Sequence, residues 1–241
     1  MNVALFFAQK MRQHEQYKNT VSSRIINIAM TAVAIGIASI LIAMACSKGL
    51  QNEIRNKTSA FNGHILITLF ENNESQVSIL PFENSQEIKN KIEAHNNFDR
   101  MHAIALKAGM LKANDDFEGI LLKGVDSGFK WTSIEGFLTQ GDFPAYGSNS
   151  SNEILMSEVI ANRLNLKVGD TVDAFFQNNL NEGLPKRRKF KIVGLFFSGF
   201  PDIDENLVYA DLRQVQRLNQ WNENQIAGYE VFVKSFSQVS Q

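Results

Sequence analysis

Cysteine is almost missing from this 241-residue chain. Cys46 is the single thiol, and only four histidines accompany it. That shortage excludes a disulfide framework and a cysteine-rich zinc site. An excess of one charge is missing too: the formal net charge is -1 and the pI is near 6.4, so no broad basic field favours nucleic acid. Phosphate-cradling loops are also missing. No Gly-Lys dipeptide supplies a Walker-type loop, and no Gly-x-Gly-x-x-Gly supplies a dinucleotide turn. His14, His64, His95 and His102 lack the His-Glu-x-x-His spacing of a zinc helix, and Ser127 in Asp126-Ser127-Gly128 lacks the Gly-x-Ser-x-Gly elbow of a nucleophile. Neither a cofactor nor a metal is expected. Disorder is excluded by a composition of 44% hydrophobic and 20% charged residues, which supplies ample core material.

What is present is one long apolar run. Ile25 to Ser47 contains no charged residue, and apart from Asn27, Thr31, Ser39 and Ser47 it is built of Ile, Ala, Met, Val, Leu, Gly and Cys. As a helix it reaches roughly 35 Å, enough to cross a hydrocarbon core of about 30 Å. We read it as a membrane anchor bounded by Ile25 and Cys46, with Gly36 at its centre. Ala32, Ala34, Ala38 and Ser39 cluster around Gly36, where small residues let a neighbouring helix approach. A buried core helix is the competing reading, but such helices seldom lack charge and amphipathic pattern for so long.

Two processing readings compete with an uncut span. Ala43-Met44-Ala45 fits a signal-peptidase site, and Cys46 directly after it gives a loose lipoprotein box. Against both, the run exceeds a signal-peptide core, 24 residues precede it, and Ala43 stands where a lipoprotein box prefers a larger aliphatic residue.

Residues 1–24 carry Ala4, Phe7, Ala8 and Met11 at helical spacing beside Lys10, Arg12 and Gln13, an amphipathic segment suited to the membrane interface. Lys10, Arg12, Lys18 and Arg24 against Glu15 give this segment a charge of +3. The positive-inside bias therefore puts the N-terminus in the cytoplasm, although Lys48, Arg55 and Lys57 reduce the contrast. Beyond the span, Leu50, Ile54 and Thr58 recur at i, i+4 spacing, so residues 48–62 are expected to continue the helix as a stalk that Gly63 ends.

The remainder, to residue 241, reads as an α+β domain of short strands and helices. His64 to Phe70 and Val77 to Phe82 are strand-like, with a polar turn over Glu71 to Gln76. Asn84 or Ser85 caps a helix running to about Asn96. His102 to Ala113 and Phe117 to Val125 form a hairpin, Trp131 to Leu138 a short helix, and Gly141 to Ser151 a loop between two subdomains. Ile154 to Met156 is a strand, Ser157 the cap of a helix ending near Leu166, and Gly169-Asp170 a turn. Strands over Thr171 to Phe176, Lys189 to Phe197, Asn206 to Ala210 and Tyr229 to Val233, with a helix over Leu212 to Leu218, complete the pattern. Lys186-Arg187-Arg188-Lys189 reads as a solvated hairpin edge that would otherwise attract anionic lipid or an acidic partner, and Asp202, Asp204 and Glu205 read as a turn rather than a calcium loop.

Several stretches together resemble the transmembrane subunits of lipoprotein-releasing transporters, the LolC/LolE group within the MacB and FtsX-like ABC permeases. Ile26 to Ala45 followed by Lys48-Gly49-Leu50-Gln51-Asn52-Glu53-Ile54-Arg55 is similar to that family's first membrane helix and its exit. Gly63-His64-Ile65-Leu66-Ile67 resembles its first periplasmic strand, Leu122-Lys123-Gly124-Val125-Asp126 its Lys-Gly-(Ile/Val)-Asp element, and Gly141-Asp142-Phe143 a recurrent Gly-x-Phe. Leu164 to Val172 and Phe190 to Phe196 resemble two further family segments, the first slightly shortened. It is the joint order of these stretches that is specific.

The resemblance implies a two-lobed periplasmic domain, with an α/β lobe and a β-rich lobe, on a stalk that relays ATP-driven motion. It implies a non-catalytic subunit of the bacterial inner membrane. Its partners would be a cytoplasmic ATPase on a separate chain, a second permease copy or paralogue, membrane lipid, a lipoprotein substrate and a periplasmic carrier. The loop Gln177 to Pro185 falls where one LolC-type subunit carries a carrier-contacting hook, which marks Asn178, Leu180, Leu184 and Pro185 as candidate partner residues; the loop is short here. The alternatives are a membrane-tethered or lipidated binding module and an FtsX-like regulator of cell-wall hydrolases.

Overall fold

A computed structural model describes residues 21–70, 80–177 and 184–236, together with Val3 and Phe6. The interfacial segment expected in residues 1–24 falls almost wholly outside the described residues. So do the turn at 71–76, the first half of the strand expected over Val77 to Phe82, and the candidate partner residues Asn178 and Leu180. The chain divides into two compact units, Met1–Asn56 and Lys57–Gln241.

The first unit is dominated by helix α1, which spans Val21–Asn62 and ends inside the second unit. Among the described residues, Arg24–Asn62 is the one helix long and apolar enough to cross a membrane. Its large apolar side chains point outward all round, Ile28, Ile35, Ile42 and Met44 each being more than half exposed. A soluble helix buries one face, so this all-round apolarity suits lipid instead. The few hydroxyls bond back to the helix: Thr31 Oγ1 donates to the Asn27 carbonyl at 2.7 Å and Ser39 Oγ to that of Ile35 at 2.8 Å. No polar hydrogen of either is left for the hydrocarbon to meet.

The second unit is a mixed α+β domain built on one nine-stranded sheet. Its strands are β1 (Ile65–Thr68), β3 (Phe98–Ala113), β4 (Asp116–Val125), β5 (Leu138–Gly141), β6 (Glu153–Ser157), β7 (Thr171–Phe176), β8 (Lys186–Phe196), β9 (Leu207–Asp211) and β11 (Gly228–Val233). A small pair, β2 (Phe82–Glu83) with β10 (Gln225–Ile226), stands apart. The short helices are α2 (Gln86–Glu93), α3 (Glu158–Arg163), α4 (Pro201–Asp204) and α5 (Leu212–Asn219).

Pairing closes six strands into a ring. β3 pairs β4, β4 pairs β9, β9 pairs β6, β6 pairs β8, β8 pairs β7, and β7 returns to β3 through Met110, Leu111 and Lys112. Closure removes the sheet edges that these strands would otherwise expose. Strand alternation sends Leu111, Ile120, Leu122, Val172, Ala174, Phe176, Phe190 and Ile192 into one buried cluster. Gly109 makes room there, since a Cβ at that position would lie 2.4 Å from the Phe176 ring. The opposite faces of β3, β4, β6 and β9 carry a second cluster around Phe61, Ile104, Val125, Leu155 and Tyr209.

Most expected elements are present with shifted ends. The hairpin opens at Phe98 rather than His102 and turns at Asn114, whose φ of 54° gives the tight reversal. Ser157 caps α3, its hydroxyl accepting from the Val159 N–H at 3.1 Å. Ser85 precedes α2, which stops at Glu93 rather than Asn96. Instead of a helix, 131–138 forms two 3-10 turns, Trp131–Ser133 and Glu135–Phe137, that deliver the chain into β5. The Gly141 to Ser151 loop joins β5 to β6, and both of those strands pair with β8. Asp202 and Asp204 lie on the short helix α4 rather than in the expected turn, and Asp204 folds its carboxylate back onto the Ser198 and Gly199 N–H groups at 2.8 and 2.9 Å.

Candidate coupling site at the root of the helix

The last turn of α1 meets the domain through Phe61. Its ring is buried, 5.2 Å from that of Phe137 and 5.3 Å from that of Phe196. Lys57, one turn earlier, lies over the Phe137 and Phe200 rings at 6.0 and 5.7 Å. Gly63 then takes φ +70°, the left-handed conformation that ends helices and favours glycine. A Cβ there would lie 3.1 Å from Glu230 Cβ, so chain and sheet pass in close contact. The His64 N–H donates to the Val231 carbonyl at 2.9 Å, and β1 begins at once.

A helix end leaves its last carbonyls without partners, and its dipole favours a cation there. Lys123 supplies both needs. Its ammonium donates to the Phe61 carbonyl at 2.5 Å and to Glu230 Oε1 at 2.5 Å, and lies 5.5 Å from the Tyr209 ring centroid. Three strands aim these groups inward: Lys123 stands opposite Tyr209 in the β4–β9 register, and Glu230 comes from β11. Lys123 is 1% exposed and Glu230 3%, so the ion pair is desolvated. Burial pushes the Glu230 carboxyl above the usual carboxylate range against the pull of Lys123. Glu230 Oε2 has no hydrogen-bond partner among the described residues. Burial, then Glu230 and Tyr146, hold the Tyr209 hydroxyl well above its ordinary value, which keeps it a donor toward the Phe61 carbonyl at 3.4 Å.

His102 stands opposite Glu230 on β3. Its ring packs 4.8 Å from Phe129 and 5.7 Å from Phe232. Burial, then Arg100, Lys123 and Lys130, lower its pKa to about 4, so it is neutral in this setting. The Arg100 guanidinium stacks 4.1 Å from the Phe232 centroid and donates to Asp99 and Ser133. This cluster holds a helix terminus by charge, hydrogen bonds and ring packing; what it can do is fix one element against three strands. Among the described residues no group of three or more His, Cys, Asp or Glu is arranged to hold a metal.

The structure puts the expected anchor residues Ile25, Gly36 and Cys46 on α1, all exposed, and a Cβ at Gly36 would meet nothing within 4 Å. The expected stalk residues Leu50, Ile54 and Thr58 are also on α1 and exposed. The residues that fasten its end, Lys57 and Phe61, stand beside them in sequence and were not singled out. Leu184 is 90% exposed and Pro185 exposed. Lys123 and Glu230 were missed as a pair. Their signal is a lone charge inside an apolar strand, as in Leu121-Leu122-Lys123-Gly124-Val125 and Tyr229-Glu230-Val231-Phe232.

The site is thus an α+β domain whose strands grip the last turn of a long apolar helix. The MacB-like periplasmic core domain family matches residues 28–241, and the chain belongs to that family. Among solved structures, the extracellular domain of the noncanonic ABC-type transporter YknZ from Gram-positive bacteria is similar at 16% identity, over 73% of this chain and 84% of that one, with a TM-score of 0.46. The periplasmic region of MacB from Actinobacillus actinomycetemcomitans is similar at 16% identity, over 72% of each chain, with a TM-score of 0.47. No curated protein matches the chain. Membership in this family makes the chain the periplasmic domain of a MacB/FtsX-like ABC permease, a class that implies an ATPase partner.

Proposed function

We propose that this chain couples ATP-driven movement of its membrane helix to its periplasmic domain in the release of lipoproteins from the inner membrane. The observation that carries the coupling is the clamp on the end of α1, where Lys123 bridges the Phe61 carbonyl to Glu230. A buried ion pair is poor at adding stability but strict about geometry, so a displacement of the helix end is passed to β4 and β11 rather than absorbed. The lipoprotein cargo rests on the joint order of the stretches that resemble the LolC/LolE group. In this reading the N-terminus is cytoplasmic, the subunit does no covalent chemistry, the ATPase is a separate chain, and a second permease copy or paralogue completes the transporter.

The test is reconstitution of the full permease with its ATPase in vesicles holding a fluorescent lipoprotein. ATP-dependent release to a soluble acceptor is expected. ATP hydrolysis without lipoprotein release, while another exported compound stimulates it, would contradict the cargo assignment and leave the clamp itself standing.

A further inference from the structure

The outward faces of β8, β7, β3 and β4 form a continuous grid. Register sets Lys191 beside Thr171, and Lys189, Asp173, Lys112 and Phe117 in one row. The next row is Arg187, Phe175, Met110 and Gly119. Alternation fixes the orientation, because Val172, Ala174, Phe176, Phe190 and Ile192 on the same strands are buried on the opposite face. Met110 is 48% exposed and Phe117 54%. The four strands span about 14 Å.

Charge on this face is one-sided. On these four strands Lys112, Arg187, Lys189 and Lys191 face the carboxylate of Asp173, and Glu153 of β6 stands beside Lys191 at the edge of the grid. Arg187 takes that carboxylate in two hydrogen bonds of 3.0 and 2.6 Å. Lys112 lies 5.2 Å from the Phe117 ring, so cation and apolar side chain share one contact surface. The chain as a whole is slightly acidic, which makes a basic face with an apolar centre a local feature.

We propose that this face docks an acidic partner protein whose contact segment presents apolar side chains among its carboxylates. Charge complementarity selects the acid, and Met110, Phe117 and Phe175 supply the apolar centre that such interfaces carry inside a charged rim. A protein fits better than an anionic lipid surface. Membrane attraction needs only a cluster of cations, whereas here large apolar side chains sit at fixed sheet spacing among them. The proposal stands independently of the coupling function.

The test measures binding of a fluorescent Glu-Leu repeat peptide to the full chain in neutral detergent. Raising salt from about 50 to about 300 mM is expected to weaken binding about tenfold. K189E/K191E is expected to weaken it about tenfold, while K89E/K91E, with the same change in net charge, stays within about twofold. M110S/F117S is expected to lose about threefold or more for the Glu-Leu peptide and nothing for a Glu-Ser repeat. Equal losses from the two charge-reversal pairs, or equal affinity for the Glu-Leu and Glu-Ser peptides in the unmodified chain, would overturn the proposal. So would capture of phosphatidylglycerol vesicles in preference to the peptide. If K189E/K191E fails to fold by circular dichroism, the salt series and M110S/F117S still decide.

Discussion

The two faces of the central sheet solve different problems with the same strands. One face closes over a core of Leu111, Ile120, Leu122, Val172, Ile192 and Val208, nearly all aliphatic. The other is aromatic and charged: Phe129, Trp131, Phe196 and Tyr209 surround Lys123, Glu230 and His102. Aliphatic packing gives stability that tolerates exchange of one side chain for another of similar volume. Polar groups held out of water tolerate little, because each needs its own partner in place. The face that receives the helix end is the one built on partners, which is the difference the proposed coupling requires of a surface that holds position under load.

The contrast breaks most severely at Lys123. Lys123→Ala strands the Glu230 carboxyl, and a loss of about 3–5 kcal/mol is expected in denaturant unfolding. K123M/E230L, which removes both charges, should recover most of that loss. A single substitution costing under about 1 kcal/mol would mean that the pair is solvated and no clamp exists.

On the aliphatic face the corresponding probe is Gly109→Ala. The added methyl meets the Phe176 ring, so about 1–3 kcal/mol of destabilisation is expected from overpacking, and G109A/F176L should relieve it. Thermal melts of the two variants check this. An unchanged melting temperature for Gly109→Ala would show that the ring interior is looser than its burial implies.

A smaller effect separates the faces by pH. The folded pKa of His102, about 4, lies below its ordinary 6.5. Between those values the unfolded chain takes up a proton that the folded chain refuses, so the stability from neutral His102 is complete above about pH 6.5 and is lost as pH falls toward 4. Glu230 acts in the opposite sense: its raised pKa makes the folded chain bind a proton first as pH falls. The comparison that isolates His102 is therefore the stability difference between the natural chain and His102→Phe, measured at pH 7 and pH 5. It should shift by about 1–2 kcal/mol in favour of the variant at pH 5, after discounting for solvent screening. A difference independent of pH would place the imidazole in water.

The local rules that shape elements were readable in the sequence. The uncharged run, the Gly63 stop, the Ser157 cap and the 102–125 hairpin all depend on neighbours in the chain; the stop and the cap fall where expected, and the hairpin begins a few residues earlier. Ring closure was not readable, because the three-residue pairing of β3 with β7 joins segments some sixty residues apart and leaves no periodic trace. The coupling site failed for a related reason. Leu50, Ile54 and Thr58 have stalk spacing, but spacing cannot say which turn of a helix meets a sheet. Lys123 and Glu230 are 107 positions apart, and each alone reads as a flaw in an apolar strand. Lys123 does fall within the Leu122 to Asp126 stretch that carries the family resemblance, although nothing there assigned it a role.

Hydrogen exchange at the β4 and β11 amides of the assembled transporter, with and without ATP, tests the coupling most directly. The clamp predicts that ATP alters exchange around Lys123 and Glu230 in the natural protein, and that K123M/E230L, still folded and still hydrolysing ATP, shows no such change. An ATP response of equal size in the double variant would contradict it.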